Sequence, residues 1–505
     1  KTQLNVHLQY ETTIAKNHNI GAMFVYSEEY WHTRSTGASR NDRIHPSTSE
    51  INAALTNVQS NSGSSASEGL RSYIGRMNYS AYDKYLLEFS FRVDGSSKFV
   101  KGHQYGFFPT VALGWRFTEE EFLKKYLSSW LSSGKLRASW GKLGDNSGVD
   151  RFEQLETLTA MNYMSSDVVK GFVNKKMINK DLSWEVSTDI NVGLDLGFLN
   201  NRLRTEIDFY NRLRTGMNRP SEMSIHLTGA YSAPRANIGD LLNRGIELNL
   251  TWKDKIGNVE YSVNLNGAYN RTVLKEWNEF LSRGWVYLDM PYHFLYIYEN
   301  NGIAQTWQDI YNNTPQGLSP GDVIRKDLNG DGIIDGKDKK AYPNIQRDRP
   351  TTTYGITLQA AWKGFDISML FNGGLGRKGF WMTDCNYTAL ADRRYASTWD
   401  HWTEPWSLEN RSGKWPRLGT STDRSDNSYW LYNMNYLRMK NIMLGYNLPQ
   451  KLLSKISMAN LRIYASAENL FTVTQYPGLD PEKKNSSRDL YPINRSFSIG
   501  LNVSF

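Results

Sequence analysis

The chain has 505 residues, 39% of them hydrophobic, with 59 basic side chains against 51 acidic ones for a net charge of +8. Its mean hydropathy is −0.57, and no apolar run approaches the roughly 18–20 residues of a membrane-spanning helix, so helical spans are excluded. The basic residues are spread among acidic ones in every segment rather than gathered on one stripe, which argues against nucleic-acid binding, and the single Cys385 excludes an internal disulfide or a cysteine-rich metal site.

The chain opens on KTQLNVHLQY, with no initiator methionine and no secretory leader. A processed, split or truncated protein is therefore expected. Apolar and polar residues alternate from the start, as in strands with one apolar face. Strands are predicted near 3–13, 18–37, 69–80, 84–95, 105–117 and 134–143. Between the last two lies TEEEFLKKYLSSWLSS. A capping box of Thr118 with Glu121, then Phe122, Tyr126 and Trp130 at four-residue spacing, predicts an amphipathic helix plugging a wide turn.

The stretch WEVSTDINVGLDLGFLNNRLRTEIDFY puts Trp184, Val186, Ile190, Val192, Leu194 and Leu196 on one face and Glu185, Asp189, Asn191 and Asp195 on the other. Leu199-Asn200-Asn201 reverses the chain, and Leu203, Ile207 and Phe209 then oppose Arg204, Glu206 and Asp208. Strands near 240–254 and 258–273 follow. The run from Ile356 to Phe371 repeats the plan around a tight Lys363-Gly364 turn, a strong hairpin signal. Strands near 431–446 and 460–472 lead to RSFSIGLNVSF, where Phe497, Ile499, Leu501, Val503 and Phe505 alternate with polar residues. The total is about fifteen, many of them as long as the roughly 9–11 residues that cross a bilayer when tilted. Tight turns alternate with long loops near 38–68, 144–183, 274–351, 376–430 and 473–493.

Alternation alone leaves two coverings for the apolar face, lipid or a second sheet. The polar faces carry charges strand after strand, as a wet lumen requires. No continuous apolar strands or core helices offer a packing partner, and aromatics cluster near strand ends, as at Trp252, Trp362 and Tyr446. Aromatic residues at 13% suit the girdles of a membrane barrel, though also a carbohydrate-binding sandwich. An exposed sheet edge has no place in hydrocarbon. The expected fold is all-β, an antiparallel transmembrane β-barrel over 1–505, with further N-terminal strands completing an odd-numbered set.

DLNGDGIIDGKD has the spacing of a calcium loop, with ligands at positions 1, 3, 5, 7, 9 and 12 and glycine at 6. Those are Asp327, Asn329, Asp331, the carbonyl of Ile333, Asp335 and Asp338, with Gly332 in place. A structural Ca2+ is the expectation; against it, Asp338 stands where glutamate is usual and no flanking helices are visible, so a loop held by its own Asx turns is the alternative. Trp399, Trp402 and Trp406 surround His401 in an outer loop, as a stacking platform for sugar rings or peptide side chains, or as loop packing or an interface belt. No base-and-nucleophile pair, phosphate loop or histidine metal spacing appears, so no enzyme is expected.

Several stretches together resemble the barrel of SusC/RagA-like TonB-dependent transporters: LRASWGKLGDNSG (136–148), LSWEVSTDINVGLDLGFLNNRL (182–203), NIGDLLNRGIELNLTW (237–252), GDVIRKDLNGDGIIDGKD (321–338), YLRMKNIMLGYNLPQKLL (436–453) and LRIYASAENLFTVTQYPGLDPE (461–482). The resemblance implies a plugged barrel of about 22 strands, of which this chain would be the C-terminal part, the plug and first strands lying elsewhere. It implies import of oligosaccharides or oligopeptides across the Gram-negative outer membrane. The implied partners are a SusD-like surface lipoprotein as lid, the remaining N-terminal part of the barrel, TonB-ExbB-ExbD acting through the plug, and outer-membrane lipid and lipopolysaccharide. A barrel of the same ancestry serving as a scaffold in assembly or secretion is the alternative. The last strand also resembles the C-terminal insertion signal of such barrels, carried by Ser498, Gly500, Val503 and Phe505.

Overall fold

The computed structural model describes the chain except for residues 42–44, 46, 48, 56–58, 128–129, 165–167, 175–176, 224–225, 227–232, 279–286, 293, 347–348, 381–403, 418–426, 454–457, 484–491 and 505. Fifteen strands form one sheet in which each pairs antiparallel with its predecessor in the chain. They are β1 (Thr2–Ile14), β2 (His18–Arg40), β3 (Gln59–Ala81), β4 (Tyr85–Ser96), β5 (Tyr105–Trp115), β6 (Leu131–Asp145), β7 (Glu185–Phe198) and β8 (Leu203–Thr215). Then come β9 (Asp240–Ile256), β10 (Val259–Glu276), β11 (Thr352–Trp362), β12 (Phe365–Leu375), β13 (Tyr436–Asn447), β14 (Asn460–Thr474) and β15 (Ser496–Ser504). β1 and β15 are the two edges.

The connections divide between two rims. Residues 15–17, 82–84, 116–130, 199–202, 257–258, 363–364 and 448–459 join strands at one rim, and 41–58, 97–104, 146–184, 216–239, 277–351, 376–435 and 475–495 at the other. At the tight rim, Lys363 (φ 47°) and Gly364 (φ 89°) both adopt the left-handed conformation. Two such residues give the primed turn whose twist matches the flanking strands.

Register explains the two faces. Leu136 stands opposite Leu194, Leu194 opposite Ile207, and Ile207 opposite Leu248, so one face carries an apolar row across β6–β9. The other face carries Arg137, Asp195 and Asp208 one residue along. Because side chains alternate with a period of two, these assignments cannot drift without moving every charge into the apolar layer.

Three expectations need correction. β3 starts at Gln59 rather than 69, because its polar, serine-rich first half is held by pairing with β2, from Arg40↔Gln59 to Trp31↔Glu68. This ribbon rises past β4, which stops opposite Leu70. β13 starts at Tyr436, and Leu431–Asn433 instead pairs with Lys378–Phe380 among the loops. The amphipathic helix shrinks to Glu121–Leu127. Its expected capping box does not form: the Thr118 hydroxyl accepts the Gly134 amide at 2.9 Å instead.

Candidate functional site: the charged wall and the loops above it

The polar face is braced by arginines that reach over a neighbouring strand. Arg137 on β6 grips Asp195 on β7 (Nη2–Oδ1 2.7 Å, Nε–Oδ2 2.9 Å) and Asp208 on β8 (Nη1–Oδ1 3.0 Å, Nη2–Oδ2 2.9 Å). Gly193 lies beneath the guanidinium, opposite both Arg137 and Asp208. Arg462 on β14 repeats the arrangement, reaching Asp366 on β12 at 2.6 Å across Gly445 on β13. Arg76–Glu88 and Arg212–Asp189, each at 2.7 Å, add further bridges. Bidentate forks of this kind hold a guanidinium in one orientation. A groove of about 950 Å³ runs along this face, with Glu11, Asn78, Glu88, Lys135, Arg137 and Asn191 in its wall. The wall of the groove carries charges of both signs.

Above the wide rim the loops build a core of their own from Leu295, Ile297, Phe380, Trp415, Trp430, Met434 and Tyr476. Trp415 and Trp430 stack at 6.2 Å with planes 10° apart. Two buried arginines tie the segment after β14 to this assembly. Arg438 on β13 donates to Asp480 (2.7 Å), Glu482 (2.5 Å) and the Thr472 hydroxyl (2.8 Å), and Lys440 joins Glu482 at 3.1 Å. Arg377 donates to the carbonyls of Pro481, Glu482 and Lys483 at 3.0, 3.1 and 3.0 Å. Residues 480–483 are thus strapped against β13. The sequence reading missed Arg377 and Arg438. One signal was available: Arg438 and Lys440 stand two apart, as do Asp480 and Glu482.

Of the three tryptophans proposed as a platform, Trp399 and Trp402 lie outside the described residues. Trp406 is a correction. It is buried, its indole N–H donates to Gln305 Oε1 at 2.9 Å, and its ring closes over Gly321, where a β-carbon would stand 2.5 Å from Cε3. It packs the loop and offers no open face.

The Asp-rich loop is organised by its own amides. Asp338 is fully buried and accepts from Leu328 (2.9 Å), Asn329 (3.4 Å) and Asp335 (2.9 Å). Asp327 accepts from Gly330 (2.7 Å), Gly332 (2.9 Å) and the Thr314 hydroxyl (2.9 Å), Asp331 from Ile333 (2.9 Å), and Asp335 from Lys337 (2.7 Å). Burial pushes the Asp327 carboxyl up, but these donors outweigh it and hold the group below the usual carboxylate range. The residue types suit a hard cation, and in this structure the carboxylate oxygens accept from amides of the loop itself. Among the described residues no three His, Cys, Asp or Glu side chains converge on one point.

On β15, Ser498 pairs with Ser466, Gly500 with Tyr464 and Val503 with Leu461. The Tyr464 ring covers Gly500, where a β-carbon would stand 2.3 Å from Cζ. Phe505 lies outside the described residues.

The family described as "TonB dependent receptor-like, beta-barrel" matches residues 2–470. The chain is 31% identical over 476 residues to TonB-dependent receptor P3 of Formosa agariphila, covering 86% of this chain and 45% of that protein. It is also 31% identical over 457 residues to TonB-dependent receptor SusC of Bacteroides thetaiotaomicron, covering 86% and 44%. It thus spans about half the length of the curated relatives it matches. In fold it superposes on the RagAB peptide importer in its open-open state with a TM-score of 0.83 and 24% identity, over 100% of this chain and 54% of that one. With its outward apolar row, braced polar wall and two unequal rims, the chain belongs to the TonB-dependent receptor β-barrels and is SusC-like within them.

Proposed function

We propose that the chain is the larger part of the barrel wall of a TonB-energised transporter that brings large nutrients, oligosaccharides or oligopeptides, across the outer membrane. The plug and first strands belong to the rest of the longer protein, and a SusD-like lipoprotein covers the wide rim. The observation that carries this reading is the wall itself, apolar on one face and lined on the other by bridged charges. A lid partner fits the wide rim, where the loops form a packed platform around Trp415 and Trp430. Uptake of labelled oligosaccharide and oligopeptide pools by cells expressing the full-length protein, with and without functional TonB, tests it. One pool should enter, and only when TonB is functional. Entry of neither pool, or entry indifferent to TonB, would count against transport and favour a scaffold.

A further inference from the structure

The connection between β5 and β6 was expected to plug a turn. It folds instead onto the outer, apolar face, and three contacts fix it there. The Phe117 ring lies on Gly134, where a β-carbon would stand 2.3 Å from Cζ, and meets the Trp115 ring edge-on at 5.9 Å. Glu120 accepts from the Tyr85 hydroxyl at 2.6 Å and the Trp115 indole N–H at 3.2 Å, with the Lys84 ammonium at 3.3 Å. Trp130 stacks on Phe198 at 5.8 Å with planes 20° apart. All the strand partners belong to the apolar face. Tyr85 and Trp115 are paired and share it with Leu87 and Leu113, Gly134 stands opposite Leu196, and Phe198 ends the row of Val192, Leu194 and Leu196.

From this seat the helix Glu121–Leu127 presents Phe122 and Tyr126, four residues apart, away from the sheet, 63% and 74% exposed, with Trp130 beside them at 51%. Lys124 turns to Glu119 at 2.9 Å. Large aromatics continuous with a lipid-facing surface, at the level where it ends, match the interfacial belt that aromatic rings occupy in bilayers. We propose that Phe117–Leu127 with Trp130 is an interfacial anchor laid in the phospholipid headgroup layer at the tight rim, with Phe122, Tyr126 and Trp130 as its lipid-contacting residues. Gly134 and Glu120 position it. The proposal rests on the reading of the sheet as a membrane barrel.

Spin-label depth measurements on the full-length protein in a cysteine-free background test both. Nitroxides are placed singly by Phe122→Cys, Tyr126→Cys, Lys124→Cys and, in the central apolar row, Leu248→Cys. The vesicles are phosphatidylethanolamine and phosphatidylglycerol, and the relaxing agents are oxygen and a water-soluble nickel chelate. Labels at 122 and 126 should favour oxygen, at the ~5–10 Å depth of interfacial helices, with 124 favouring nickel and 248 deeper than either. Labels at 122 and 126 as open to nickel as 124, or shielded from both agents as under another protein, would overturn the anchor alone. A water-exposed label at 248 would overturn the membrane reading together with it.

Discussion

The Arg137 guanidinium rests on the α-carbon of Gly193: a β-carbon there would stand 2.6 Å from Arg137 Cζ and from Asp208 Oδ1. Glycine is therefore a condition for the three-strand bridge. Gly193→Ala should lower stability by about 1–3 kcal/mol, the usual cost of overpacking. Urea unfolding in vesicles measures it. Arg137→Met in the same background should recover part of the loss, because the two changes share one space.

Arg438 and Asp480 are each almost sealed from solvent, with side chains 3% and 1% exposed. Removing one partner strands the other, typically at about 3–5 kcal/mol. The loss should appear first in the strap, since β13 keeps its pairing on both sides. Arg438→Ala should make residues 475–483 a site of limited proteolysis while heat resistance of the sheet changes little. Arg438→Lys should rescue only partly, because a single ammonium cannot hold Asp480, Glu482 and Thr472 together.

Glu120 is held below the usual carboxylate range by hydrogen bonds from the Tyr85 hydroxyl and the Trp115 indole, against which burial pulls upward, with the Lys84 contact adding to the depression. A depressed folded-state value contributes stability that is complete above the ordinary glutamate range and is lost as pH falls through the depressed value. The Glu121–Leu127 helix should therefore loosen on acidification below about pH 4, seen as increased mobility of a nitroxide at 122. Glu120→Gln should be loose already at pH 7 and show no such transition.

Trp406 and Gly321 test whether that tryptophan serves packing. Gly321 has φ 93°, and a β-carbon there would also press on the Arg417 side chain, which holds buried Asp322 at 2.8 Å. Gly321→Ala and Trp406→Ala should each destabilise the loop assembly, the latter by about 3–5 kcal/mol as for other large buried aromatics. Tryptophan fluorescence during loop unfolding reports both. Trp307→Ala, at an exposed site on the short helix Trp307–Tyr311, should leave the same transition unmoved.

The sheet was readable because its signal is local. Alternation from Val186 to Phe209 and the turns at 199–201 and 363–364 carry register within a few residues, and β4, β5, β7 and β9 lie within a few residues of their expected places. What escaped depends on distant partners. Gln59–Ser67 has no apolar period and is a strand only because β2 runs beside it. Thr118 has a cap's spacing but finds Gly134 closer than its own helix. The loops above the wide rim are fixed by pairs such as Arg417–Asp322 and Arg377 with Pro481, roughly 100 residues apart along the chain. The Asp-rich loop has the residue types and spacing of a cation site, and its carboxylate oxygens accept from amides ten residues away or nearer.

The arginine bridges have one more consequence. Arg462 ties β14 to β12 across two hydrogen-bonded seams and two residues off register, and Arg137 reaches Asp195 on β7 at the same offset while meeting Asp208 on β8 straight across. Ladder bonds oppose the parting of neighbouring strands; a diagonal opposes their sliding lengthwise. The wall is in that sense a truss, stiff in shear as well as in tension.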